Sequence, residues 1–173
     1  PSYACKSGVG DVLIGAAALA AEYNGVAGAS HIKDKLIEMT HLNETIYSSA
    51  LACSYEGAPT PSGAYLIDLL LANVCKQNVT RFPYEMARIA QDLAGGLLVT
   101  MPSEKDFNHP KVGPIINKYL AARTDVPTAD RQKMLRFIEN LTKLDRGDLA
   151  ILKRNAGNLI SQSRQAITLF YRL

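Results

Sequence analysis

The sequence predicts an all-α protein, an antiparallel four-helix bundle with extra helices toward its C-terminus. Three observations predict it. Apolar residues recur at steps of three and four over long stretches, the mark of a single helix face. Hydrophobic residues make up 47% of the chain, Leu, Ile, Ala and Val outnumber the aromatics (7%), and Trp is absent, a mixture that suits helix packing better than a β-sandwich. No convincing strand pattern, internal repeat or low-complexity tract is present. At 173 residues the expectation is one helical domain, 1–173, large enough to bury a core without disulfides or metal.

Residues 1–8 are short on pattern but hold Cys5, Lys6, Ser7 and Gly8. From Val9 to Tyr23 a helix is expected, with Val12, Ala16, Leu19 and Tyr23 on one face. Gly15 and the alanines would let a neighbouring helix approach closely, and Asn24-Gly25 ends the element. A long helix follows over Ser30–Tyr55, with Ser30 as the expected N-cap. Its seam is Ile32, Leu36, Met39, Asn43, Ile46, Ala50 and Cys53, alternating steps of four and three. Asn43 is the polar member of that seam and reads as a register-setting residue.

Glu56–Ser62 reads as a loop. Ala64–Lys76 is apolar nearly all round and reads as a buried central helix, in which Asp68 would need a partner and Cys75 would be inert core. Gln77–Arg81 reads as a break. A further helix then opens with Pro83 at its first position, where a missing N–H is harmless. Phe82, Met86, Ile89, Leu93 and Leu97 share a face, and Arg88 and Asp92, one turn apart, can pair. Gly95-Gly96 ends this helix. Two readings stay open there: a helix C-cap with tight packing, or a close approach of backbone amides to a cofactor.

Lys105–Gly113 is expected as polar loop and Ile115–Ala122 as a short helix. Ala129–Leu144 reads as a helix with Met134, Leu135, Ile138, Leu141 and Thr142 inward. Leu149–Leu173 reads as one or two more helices.

Net charge is +3 without a long basic run, so nucleic acid is not an expected partner. The run Tyr65–Val74 is too short to span a bilayer, and no membrane partner is expected. Three cysteines without framework spacing suit a reducing, cytoplasmic setting. A start at Pro1 leads us to expect a piece of a longer chain. His31 and His41 form no ligand pair. No Gly-x-Ser-x-Gly, phosphate loop or Cys-x-x-Cys occurs, so pattern alone assigns no reaction.

Four blocks carry a resemblance. They are Gly8-Val-Gly-Asp-Val-Leu-Ile-Gly-Ala-Ala through Ala-Glu-Tyr-Asn-Gly25; Ser30-His-Ile-Lys-Asp-Lys-Leu-Ile-Glu38; Asp68-Leu-Leu-Leu-Ala-Asn-Val-Cys-Lys-Gln-Asn-Val-Thr-Arg-Phe-Pro-Tyr84; and Ala94-Gly-Gly-Leu-Leu-Val-Thr-Met-Pro-Ser-Glu104. The chain resembles the flavin-protein family of 4-hydroxybutyryl-CoA dehydratase and 4-hydroxyphenylacetate 3-hydroxylase, over roughly residues 5–142. The resemblance implies a C-terminal helical domain of the acyl-CoA dehydrogenase kind, FAD as cofactor and, in the dehydratase branch, a 4Fe-4S cluster held by three cysteines and a histidine. Cys5 occupies the place of one cluster ligand, and Lys6 would be a cation near cluster and substrate. Asp92, Gly95 and Gly96 fall where relatives touch the flavin of a neighbouring subunit.

The departures are as informative. The other cluster ligands would lie upstream of Pro1, and one thiolate supplies one ligand of four. Tyr3 matches the family's active-site Tyr only with a gap. The family's tail block Thr-Glu-Ser-Met-His-Gly-Ala-Gly-Ser is replaced by Ile151-Leu-Lys-Arg-Asn-Ala-Gly-Asn-Leu-Ile160.

The resemblance therefore implies the helical part of a lyase and isomerase acting on an acyl-CoA. That part would be inactive alone and would assemble as a homo-oligomer or with a complementary N-terminal flavoprotein part. The alternatives are a domain of a flavin monooxygenase without a cluster, and a non-catalytic helical assembly module.

Overall fold

The computed structural model describes residues 4–142. Four helices make the bundle: α1 (Ala4–Tyr23), α2 (Ser30–Tyr55), α3 (Leu69–Ala94) and, after three short helices, α7 (Thr128–Thr142). The short ones are α4 (Leu97–Thr100), α5 (Glu104–Phe107) and α6 (Gly113–Tyr119). A two-residue antiparallel ladder, β1 (Ala58–Pro59) with β2 (Tyr65–Leu66), closes the α2–α3 turn.

α1 is the central helix. It packs against α2, α3 and α7, and Val12, Leu13, Ile14, Ala16, Ala17, Ala20 and Ala21 are all buried. Its alanines allow this, because a helix flanked on three sides needs small side chains for close approach. Leu36, Met39 and Ile46 on α2, Met86, Ile89 and Leu93 on α3, and Leu135, Ile138 and Leu141 on α7 fill the space around it. Fully burying one such side chain contributes about 1.5–3 kcal/mol.

The expected α2 has the observed bounds, and its seam is buried except for half-buried Ala50. Its N-cap is Ala29, without a side-chain bond, and Ser30 is already helical. The expected faces of α3 and α7 are the buried ones, with Phe82, Leu97 and Met134 half-buried.

Several expectations are corrected. α1 starts at Ala4, so the patternless opening segment is its first turns. The expected break at Gln77–Arg81 does not occur, and Pro83 lies inside one continuous 26-residue helix. Packing of both halves of α3 on α2 outweighs the single backbone bond that Pro83 removes. Ala64–Lys76 is not a buried helix. Tyr65 and Leu66 form the ladder, and Leu69, Leu70 and Val74 are exposed, with Cys75 alone buried. Asp68 is the α3 N-cap, accepting from the Leu71 amide at 2.7 Å, and its own N–H donates to Cys53 O at 2.9 Å. Arg88 pairs with Glu85 rather than Asp92. The stretch expected as polar loop contains α5, whose end Ser103 and Asp106 tie together. The short helix expected at Ile115–Ala122 lies at Gly113–Tyr119. The helices expected over 149–173, and Tyr3, lie outside the described residues.

Candidate functional site

The α1–α2 contact fixes where the first candidates stand. Asn43, 1% exposed, donates from Nδ2 to Asp11 Oδ1 at 2.8 Å. Its Oδ1 is buried with no hydrogen-bond partner. That oxygen would lie 2.0 Å from a Cβ at Gly10, so only a glycine lets the two helices meet here. Met86 of α3 reaches the same spot. Gly10, Asn43 and Met86 are therefore level with one another, and α1 and α3 run parallel.

Cys5 and Lys6 lie in the first turn of α1, both exposed, while Ser7 is buried. Cys5 is not part of a disulfide. Asp92, Gly95 and Gly96 stand at the far end of α3. At a rise of 1.5 Å per residue the two groups are separated by about 20 Å along the bundle. The fold thus does not bring the five candidates together. It presents a thiol and a cation at one end, and a carboxylate with two bare glycines at the other.

At the second end, Asp92 accepts from Lys35 Nζ of α2 at 2.5 Å. The bond to Lys35, helped by charge from Lys35, Arg88 and His31 and opposed by desolvation, holds this carboxyl below its ordinary value. Gly95 ends α3 with φ +78° and ψ −179° and donates to Gln91 O and Asp92 O, an extended positive-φ cap that is open essentially to glycine alone. Gly96 is in ordinary right-handed conformation, φ −60° and ψ −22°, and a Cβ there would meet nothing within 4 Å. The C-cap reading accounts for Gly95. Nothing among the described residues accounts for glycine at position 96.

Cys53 and Cys75 are buried between α2 and α3. Their sulfurs donate to Ala50 O and Ile46 O. Burial first, and the neighbouring Cys53 second, push the Cys75 thiol up, so it is a protonated packing group. His31, His41 and His109 are exposed. Among the described residues no three His, Cys, Asp or Glu side chains gather where they could hold a metal ion. A four-iron cluster therefore does not fit the described residues alone. Cys5 offers a single thiolate, and no step through a cluster follows from this arrangement.

The residues that sequence reasoning missed are the braces. Arg131 donates from Nε to Asn24 Oδ1 at 2.7 Å and from Nη1 to Leu120 O at 2.6 Å. Arg136 reaches Glu139 at 2.5 Å and the carbonyls of Met101 and Pro102. They fasten the segment after Gly96 onto α7. Only their positions beside the inward face of α7 could have marked them.

A family model described as 4-hydroxyphenylacetate 3-hydroxylase C terminal matches residues 2–169, which carries the likeness past the limit of roughly residue 142 read from the sequence. A curated 4-hydroxybutyryl-CoA dehydratase/vinylacetyl-CoA-Δ-isomerase from Clostridium aminobutyricum is 62% identical over 145 residues, covering 79% of this chain and 30% of the relative. A 4-hydroxyphenylacetate 3-monooxygenase oxygenase component from Geobacillus sp. (strain PA-9) is 24% identical over 132 residues, covering 76% of this chain and 26% of the relative. Among solved structures, an oxygen-tolerant archaeal 4-hydroxybutyryl-CoA dehydratase from N. maritimus superposes with TM-score 0.81 at 57% identity, covering 95% of this chain and 33% of that one. The chain spans under a third of the length of the curated relatives named here. No described helix is long and apolar enough to cross a membrane.

Proposed function

Since the chain belongs to the 4-hydroxyphenylacetate 3-hydroxylase C-terminal family, we propose that it is the helical portion of a 4-hydroxybutyryl-CoA dehydratase and vinylacetyl-CoA isomerase. One observation carries the choice of branch. Identity is 62% to the dehydratase and 24% to the monooxygenase component. The fold supports the same branch, because the dehydratase structure superposes over nearly the whole chain.

In this reading the chain acts on an acyl-CoA only together with a flavin-bearing portion like the rest of its relatives, as a homo-oligomer or with a complementary part. FAD, when bound, would supply reversible one-electron chemistry. Cys5 gives one thiolate toward a 4Fe-4S cluster whose remaining ligands come from that other portion. Lys6, exposed beside it, offers a positive charge to substrate or cluster. At the opposite end Gly95 and Gly96 give the flavin, or the subunit carrying it, a flat backbone surface. Asp92 borders that surface with Lys35 attached. The three cysteines, in no disulfide among the described residues, suit a reducing cytoplasmic compartment.

The test is reconstitution. The chain, fused to or co-expressed with the remaining portion of the Clostridium relative, is purified without oxygen and assayed with 4-hydroxybutyryl-CoA and with 4-hydroxyphenylacetate. The expected product is crotonyl-CoA, and Cys5→Ala abolishes its formation. Hydroxylation of the phenol, indifferent to Cys5→Ala, overturns the proposal in favour of the monooxygenase. An assembly that binds neither cofactor leaves the chain as a helical assembly module.

A further inference from the structure

α1 carries little relief by which its neighbours could fix its place along the bundle. From residue 15 to residue 21 every buried position is glycine or alanine. Small side chains make low ridges, and low ridges set the axial position of a helix weakly. Apolar packing alone therefore discriminates poorly between one register of α1 and the next.

Asn43 supplies what the packing lacks. Its side chain is 1% exposed, and its Oδ1 is buried without a hydrogen-bond partner, an arrangement that costs stability. Nδ2 donates to Asp11 Oδ1 at 2.8 Å. Oδ1 faces Gly10, where a Cβ would stand 2.0 Å away, and Met86 of α3 closes the third side at 3.0 Å from the same point. A slip of α1 by one turn brings Lys6 or Ser7, or in the other direction Leu13 or Ile14, to the level of Asn43. Each has the Cβ that Gly10 lacks, so the amide would be driven into it and its bond to Asp11 lost. A buried polar residue that fits one alignment and penalises the neighbouring ones sets register in helical assemblies, at a cost in stability.

Cys5 and Lys6 ride on the same helix, within about 8 Å of Gly10 along its axis. A slip of one residue moves them by about 1.5 Å and turns them by about 100°. A misplacement of about 1 Å already costs an active site much of its rate.

We propose that Asn43, seated on Gly10, is the positioning residue for Cys5 and Lys6. It fixes the register of α1 against α2 and α3, and with it the place of the thiol and the cation on the bundle. The proposal rests on the reading above for what those two residues do there, but the register is measured without turnover.

Distance measurement between two spin labels on the full chain tests it. One label is carried by Cys5 and the other by Lys33→Cys, both exposed positions, while Cys53 and Cys75 are buried out of reach. The labels stand about 22 Å apart along the bundle. With Asn43 present the distance is single. Asn43→Ala adds a second distance up to about 5 Å away, one helical turn, or spreads the first over that range. Leu42→Ala is the control, since it truncates the neighbouring buried side chain and leaves the amide in place. It lowers the denaturation midpoint and keeps the single distance. An unchanged single distance in Asn43→Ala overturns the proposal. So does a second distance in Leu42→Ala, which assigns the register to packing at large. If Asn43→Ala does not fold, Asn43→Ser is read in the same way, because its hydroxyl can bond the Met39 carbonyl while the amide is gone. If the distances behave as expected and the reconstituted protein forms no crotonyl-CoA, the role given to Cys5 and Lys6 fails while the register device stands.

Discussion

At Gly10 a single hydrogen sets how closely two helices meet. A methyl group there would sit 2.0 Å from Asn43 Oδ1 and 2.6 Å from its Cγ, so the whole amide would have to move and break its bond to Asp11. Overpacking of this kind costs about 1–3 kcal/mol, and Gly10→Ala is expected to lower the denaturation midpoint accordingly. The paired glycines at the far end separate by the same logic. Gly95→Ala forces a side chain into φ +78° and is expected to cost about 1–2 kcal/mol. Gly96→Ala meets ordinary dihedrals and open space, so its stability change should stay within about 0.5 kcal/mol. Equal losses at both positions, read by urea titration, would show that Gly96 has a packing role of its own.

At the scale of elements, α2 was the most legible part of the chain. Seven seam positions and clear flanks fixed both its ends. α3 was not, because a proline and a polar stretch are local signals, while the continuity of that helix comes from packing along α2. The first turns of α1 were hidden for a related reason. Small and polar residues there carry no period, and of residues 5–10 only Ser7 and Gly10 are buried, so the turn is helical as the start of a helix whose later residues pack on three sides. The apolar stretch 64–76 was misread because composition reports that a surface wants cover, not whether the described fold provides it.

Pro83 offers a direct check on the continuous helix. Restoring the missing N–H with Pro83→Ala should stabilise the protein by about 1–3 kcal/mol, whereas a real break at that point would leave stability unchanged. The α2–α3 pairing also has a pH signature. The bond from Lys35 holds Asp92 below its ordinary value, so the folded state takes up this proton at lower pH than the unfolded chain does. The stabilisation is complete above the unfolded value of about 4 and is lost as pH falls through the lower folded value. The pair is half-exposed, and its share is about 0.2–1 kcal/mol, smaller at high salt. Lys35→Met should remove that part of the acid sensitivity, measured as the midpoint difference between pH 7 and pH 3.

For the whole molecule, the fold class was written in the periodicity, but the candidate site was not. A lone cysteine, a lysine and a glycine pair have no local signature, and only their likeness to a family gave them roles. The fold adds a constraint that likeness did not carry, since the two groups stand about 20 Å apart along one rigid bundle. In the reconstituted protein they should therefore fail separately. Cys5→Ala should remove most of the iron, about four atoms per chain for one cluster, and leave flavin content unchanged. Gly96→Val should lower flavin content by about tenfold, the loss expected when a branched side chain displaces a close backbone contact by about 1.4 kcal/mol, and leave iron unchanged. Iron analysis and the flavin absorbance of the same preparations read both. If either substitution empties both sites while the helical circular dichroism stays intact, the two ends belong to one site brought together by assembly, and the separation along the isolated bundle is not the distance that matters in the working protein.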